Sequence, residues 1–176
     1  DLDLALYYEV TGLSETNRPL SRDVQIEMWR QMGHNAFAVG DYDEALRYWG
    51  KWLEVAPSSP EALMLIGDVY LRLQEFDKAL EYYDASLAVN PGQIDLALRR
   101  AALLDNMNRS EEAREALNLY ARMFPQNMDV LLAQADWLNR HGREEEARQL
   151  VRAAITARPD HLKARIRYQL LANDPA

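Results

Sequence analysis

Apolar and polar positions along the chain repeat with the period of an α-helix, and the helical runs themselves repeat. Trp29, Met32, Gly33 and Ala36 fall at i, i+3, i+4 and i+7, as do Leu63, Ile66, Gly67 and Tyr70, which places each set on one face of a helix. The first run stops at Val39-Gly40-Asp41. A second amphipathic run then begins with Ala45, Trp49 and Trp52, and its counterpart in the next stretch is Ala79, Tyr83 and Leu87. Each stretch therefore predicts a pair of helices joined by a short turn.

Two ladders fix the length of the repeating unit. Prolines stand at Pro57, Pro91, Pro125 and Pro159, and alanines at Ala45, Ala79, Ala113 and Ala147, both at a constant spacing of 34. The sequence predicts units over 26–59, 60–93, 94–127 and 128–161, each closed by a proline that cannot continue a helix. Start signals agree with this layout: Asp41 precedes Glu44, Ser110 precedes Glu111 and Glu112, and Ser59-Pro60-Glu61 places a capping residue before a proline in a first turn. Gly33 and Gly67 each cost a helix interior about 1 kcal/mol relative to alanine. Their recurrence predicts that a neighbouring helix backbone passes close by, with Ala101 and Ala135 as the next smallest choice. The large residues Trp49, Trp52, Tyr70 and Tyr83 are expected to fill the core between hairpins.

The ends are less regular. Residues 1–22 predict a helix over 1–13, from a preceding irregular repeat, and then a polar connection. Residues 162–176 predict either a capping helix or the start of a fifth unit. The chain opens inside an amphipathic run and reads as part of something longer.

These residues carry a resemblance to the tetratricopeptide repeat family, whose period is 34 and whose pattern runs Trp, Leu-Gly, Tyr, Ala, Phe, Pro. Here the second unit reads Leu63, Ile66-Gly67, Tyr70, Ala79, Tyr83, Pro91, and the first reads Trp29, Met32-Gly33, Ala36, Ala45, Trp49, Pro57. The third and fourth keep their alanines and prolines but carry Arg100-Ala101 and Gln134-Ala135 in place of the apolar-glycine pair. The resemblance implies an all-α fold, a right-handed superhelical solenoid of antiparallel hairpins, with the first helix of each hairpin lining a concave surface that receives a peptide or helix.

On the first helices, that inner surface is read from three further ladders. The first is Arg30, Met64, Leu98 and Leu132. The second is His34, Asp68, Ala102 and Asp136. The third is Phe37, Leu71, Asp105 and Asn139. The strip is apolar with acidic punctuation, suited to a protein or peptide ligand with apolar anchors and some basic residues. A known specialisation of the family, a cationic clamp on a partner's terminal carboxylate, maps to Arg30, His34, Leu65, Asp95 and Arg99. Asp95 would repel that carboxylate, so this mode is not expected.

Charge and composition narrow the field further. The net charge of −8 disfavours nucleic acid, whose binding rests on Lys and Arg displacing counterions. Residues 1–139 hold 23 acids against 12 bases, whereas residues 140–167 hold 4 acids against 8 bases. That two-ended distribution is compatible with head-to-tail self-association. No stretch is apolar for long enough to insert directly into a bilayer. With no cysteine, disulfides and thiolate chemistry are excluded, while cytoplasmic and periplasmic settings both stay open. His34, His141 and His161 lack the spacing of a helical metal site, and no phosphate loop or nucleophile motif is present. The expectation is thus a non-catalytic interaction scaffold without cofactor or metal. The alternative is an assembly or positioning module of a bacterial secretion, envelope or polysaccharide-export machine.

Overall fold

The computed structural model describes residues 21–173, and the expectations for residues 1–20 lie outside it. Among the described residues there are nine helices and no strand: α1 (Arg22–Val39), α2 (Tyr42–Val55), α3 (Pro60–Arg72), α4 (Phe76–Val89), α5 (Ile94–Asn106), α6 (Ser110–Met123), α7 (Met128–Arg140), α8 (Glu144–Ala157) and α9 (Leu162–Asn173). The starts of α3, α5, α7 and α9 keep the spacing of the proline ladder, and so do those of α2, α4, α6 and α8. Helix α1 begins at Arg22, ahead of the expected residue 26, because Ser21 caps it by accepting from Val24 N. The chain gathers into two compact units divided after Asn90. In the first, α1 packs on α2 and α3 on α4; in the second, α5 packs on α6, α7 on α8 and α9 on α8.

The turn inside each pair has one recurring geometry. Gly40, Gln74, Asn108 and Gly142 all adopt positive φ, at 83°, 62°, 61° and 72°. The amide of each following residue reaches back to the last helical turn, as Asp41 N does to Ala36 O and Glu75 N to Tyr70 O, so the orphaned carbonyls are satisfied. Glycine and asparagine tolerate this left-handed backbone, but Gln74 carries a Cβ that crowds its own carbonyl, at a cost of about 1 kcal/mol. Gln74→Gly is therefore expected to stabilise the first unit by up to about 1 kcal/mol, read as a raised urea midpoint. An unchanged or lowered midpoint would show that Gln74 is not strained.

Between pairs, the helices end two residues before Pro57, Pro91, Pro125 and Pro159. The proline ring pushes its predecessor out of the α region. Ala56, Asn90, Phe124 and Arg158 accordingly share φ between −129° and −138° and ψ between 62° and 90°. Asp41 and Ser59 cap α2 and α3 as expected, accepting from Glu44 N and Ala62 N at 3.2 and 3.3 Å. Ser110 does not cap α6. It is the first helical residue, and Arg109 stands before it with its guanidinium on Glu112, at 2.7 and 2.8 Å. Arg143 repeats this arrangement on Glu146, so an exposed ion pair replaces a side-chain cap at both starts.

The glycines have a different reason from the one expected. A Cβ on Gly33 would lie 2.2 to 2.6 Å from the indole of Trp49, and a Cβ on Gly67 2.6 Å from the ring of Tyr83. The close neighbour is the flat face of an aromatic ring, not chiefly a helix backbone. In the second unit the same two places hold Ala101 with Leu117 and Ala135 with Val151, all buried. A methyl group appears on one helix where a ring has become aliphatic on the other.

Candidate functional site

In the first unit, the ladder residues of α1 and α3 are braced by the core beneath them. Arg30 holds Glu27 through two hydrogen bonds of 3.0 and 2.8 Å and lies 3.6 Å from Glu61. The hydrogen bond to Glu27 raises its pKa, so it is a fixed cation. His34 meets Trp49 edge to face at 5.4 Å, and Phe37 lies 5.7 Å from Tyr42 and 5.9 Å from Trp49. The Arg72 guanidinium stands over the Phe37 ring. Met64 is half-buried against the core of this unit, and Leu71 is also half-buried. Asp68 accepts a 2.5 Å hydrogen bond from the Tyr83 hydroxyl. Leu65, one position of the carboxylate clamp, is buried and is not presented to a ligand.

In the second unit, α5, α7 and α9 together form a trough of about 540 Å³. Leu98, Leu132 and Asp136, three of the residues expected from the ladders, line it. They are joined by Asp95, Asp129 and Ala133 on the same helices. Helix α9 adds Lys163, Ile166, Arg167 and Leu170, which the ladders as read above do not include. Their signal is in the sequence all the same, because Ile166 continues Leu98 and Leu132, and Lys163 continues Asp95 and Asp129, at the same spacing of 34. The acids are largely neutralised from across the trough: Lys163 lies 3.3 Å from Asp129, and Arg167 2.9 Å from Asp136. Ile166 and Leu170 remain about half exposed, at 48% and 57%. The trough is thus apolar along its length and nearly charge-compensated, with Asp95 exposed at its edge.

Burial raises the Asp136 carboxyl above its ordinary value, and Arg167 and Arg140 pull it only part of the way back. A carboxyl raised in the folded state keeps a proton that the unfolded chain has already released. It therefore favours folding below its unfolded pKa and opposes folding once the pH has passed its folded pKa. Asp136→Asn is expected to melt no lower than wild type near neutral pH, with the difference fading towards about pH 3. A clear loss at neutral pH would mean that the Arg167 pair outweighs the burial.

Asp105 does not line the trough, and neither does Asn139, which is half-buried on α7. The Asp105 side chain is 5% exposed. It accepts from Trp137 Nε1 at 3.2 Å and from Arg140 at 2.5 Å, with His141 Nε2 also at 3.2 Å. His141 stacks on Trp137 at 4.2 Å, sets Nδ1 2.8 Å from the Trp137 carbonyl and Nε2 3.2 Å from Ser110 Oγ. A serine, a histidine and an aspartate thus meet, but not as a proton relay. Serine and carboxylate both face Nε2, and Nδ1 is given to a backbone carbonyl, whereas a relay needs them on opposite ring nitrogens. The constellation holds helices together. Among the described residues, no group of three His, Asp or Glu is placed to hold a metal ion, and no helix is long and apolar enough to cross a membrane.

Comparison with known proteins places these helices in a family. No curated protein matches the chain in sequence. Among solved structures, a tetratricopeptide repeat protein from Parabacteroides merdae matches with a TM-score of 0.70 and 17% identity, over 84% of this chain and 59% of its own. MamA from Desulfovibrio magneticus, residues 41 to its end, matches with a TM-score of 0.62 and 18% identity, over 84% of this chain and 89% of its own. YrrB, described as a TPR protein with an unusual peptide-binding site, matches with a TM-score of 0.60 and 18% identity, covering 86% and 82%. At such identities the likeness is one of fold. The sequence profile of the tetratricopeptide repeat matches residues 30–94 and 98–161, most of the chain. With the constant period and the small-residue and ring pairs of its hairpins, the chain belongs to the tetratricopeptide repeat family.

Proposed function

We propose that this chain is a non-catalytic interaction scaffold in which the first helices of the hairpins within each compact unit take a peptide or a helix of a partner protein. The observation that carries this reading is the trough between α5, α7 and α9, where Leu98, Ile166 and Leu170 give an apolar lining over the largely buried Leu132. An amphipathic segment with anchors spaced i, i+3 or i+4, and i+7 matches such a lining. Because Asp129 and Asp136 already have cationic partners, the ligand is selected mainly by apolar anchors, with Asp95 favouring a basic residue at one end. Arg30, His34, Phe37, Met64, Asp68 and Leu71 are the corresponding contact residues proposed for the first unit. Peptide binding by YrrB is in keeping with this use of the fold.

The test is peptide display against purified protein. Wild type is expected to enrich a family of apolar sequences that Leu98→Glu/Ile166→Glu fails to enrich, by roughly tenfold or more if two anchors of about 1 kcal/mol each are lost. Equal enrichment by both proteins, with matching melting curves, would end the proposal.

A second reading, self-association, is favoured by the exposed ridge Leu162, Ile166 and Leu170 on α9, at 66%, 48% and 57%. It would serve an assembly or positioning module. A sedimentation coefficient that rises with protein concentration supports it, and a constant one removes it.

A further inference from the structure

We propose that the second unit carries another binding site, apart from the trough: a cleft between α6, α7 and α8 that seats the phenolic ring of a tyrosine from a partner peptide. The cleft has a volume of about 400 Å³, within the ordinary range of ligand pockets. Its apolar lining is Leu117, Trp137, Leu138 and Leu150, and its polar lining includes Asn118 and Gln134.

The cleft exists because aromatic rings are missing from a position that the first unit fills. The equivalent places two repeats earlier hold Trp49 for Leu117, Tyr70 for Leu138 and Tyr82 for Leu150. In the first unit, Tyr70 and Tyr82 stack at 5.4 Å with their planes 19° apart, packed against the Trp49 core. The second unit has leucines at all three, and its one indole there, Trp137 in place of Val69, does not close the gap. A cleft is left whose floor is the buried Trp137 and Leu117 and whose sides are Leu138 and Leu150.

The polar wall selects among rings. Gln134 stands where the first unit has buried Ile66, and its amide donates to Asn118 Oδ1 at 2.9 Å. That bond leaves Gln134 Oε1 and Asn118 Nδ2 for a group that both accepts and donates, which a phenol hydroxyl does and a benzyl ring does not. At the rim, Arg114 is paired with Glu111 and Arg143 with Glu146, so a neutral ring suits the site better than a phosphorylated one. Gln149 also lines the cleft; its Nε2 donates to Glu145 Oε1 at 3.2 Å, and its Oε1 is an acceptor for the peptide N–H that a side chain brings with it.

The experiment is an NMR titration of the intact chain with N-acetyltyrosine methylamide, its phenylalanine analogue and p-cresol. The tyrosine compound is expected to shift the Trp137 indole N–H and the side-chain amides of Asn118 and Gln134 together. It should bind about fivefold more tightly than the phenylalanine analogue, the equivalent of one neutral hydrogen bond. Leu138→Tyr/Leu150→Tyr, which rebuilds the stacked pair, should lose binding, and Gln134→Leu should fold and bind both amides equally. No shift at these three groups, or equal binding of the two amides by wild type, would overturn the proposal. Tighter binding of p-cresol than of the tyrosine compound would overturn its assignment to a peptide.

Discussion

Gly67→Ala is expected to lower the stability of the first unit by about 2 kcal/mol through overpacking, although alanine is the better helix former. The added methyl group would sit 2.6 Å from two carbons of the Tyr83 ring and 3.3 Å from the Ala79 carbonyl oxygen. Neither can retreat. Tyr83 is fully buried and its hydroxyl is tied to Asp68, and the carbonyl belongs to a helix backbone. Overpacking of this kind costs about 1–3 kcal/mol, more than the gain of up to about 1 kcal/mol in helix propensity. The Ala101 and Leu117 places of the second unit suggest the remedy. In a Tyr83→Leu background the same Gly67→Ala change should become neutral or stabilising, because the ring it struck is gone. Tyr83→Leu alone is destabilising, so the informative quantity is the coupling in a double-mutant cycle, about 2 kcal/mol or more. Urea unfolding followed by circular dichroism measures all four corners. Additive effects would show that the ring is not what excludes a side chain at Gly67.

That pairing explains what is legible in the sequence and what is hidden. The proline ladder marks the ends of α2, α4, α6 and α8, because a proline two places past a helix forces its predecessor out of the α region whatever surrounds it. Gly33 and Gly67 announce a close approach for a similarly local reason. The identity of the approaching group is not local: Gly33 and Trp49, like Gly67 and Tyr83, sit on the two different helices of a hairpin, and only the packed pair shows a ring over the glycine. Ser110 misleads because a serine before two glutamates reads as a helix start, although Ala113 stands where a capping box needs a glutamate; the helix instead begins one residue earlier, with Arg109 before it paired to Glu112. The ladders carry the trough as far as Leu98, Leu132 and Asp136. Its other wall escapes them when α9 is treated as an end piece, although Lys163 and Ile166 are in step with the ladders before them.

The third ladder leaves the trough at Asp105 and Asn139 in a more instructive way, and Asp105 shows why. Counting by the repeat aligns it with Phe37, Leu71 and Asn139 and so assigns it to the inner face. It is instead drawn under Trp137, Arg140 and His141, a group that occurs together only in the fourth repeat and lies at least 32 residues further along. Periodicity describes what the units share, and this contact depends on what the fourth does not share.

Asp105→Ala is accordingly expected to cost the second unit about 2–3 kcal/mol, the usual size of a buried hydrogen-bond acceptor with charged partners. The loss arises mostly at Trp137. That indole is 5% exposed, and without the carboxylate its N–H has no acceptor and little access to water. Arg140 contributes less, since its side chain is half exposed and water can take over the guanidinium. Asp105→Asn keeps an oxygen for the indole while removing the charge, so it should cost less than half as much. The ranking of alanine below asparagine below wild type is the signature of an acceptor held for Trp137. Hydrogen exchange gives a second reading of the same contact: amides of α5 and α7 should lose protection together in the alanine variant, while those of α3 and α4, in the other compact unit, keep theirs. If asparagine were as damaging as alanine, the charge opposite Arg140 would be the important partner and the indole a bystander. If neither variant changed stability, the buried contact would not be what holds Asp105, and Asp105 would regain its place among the proposed binding residues.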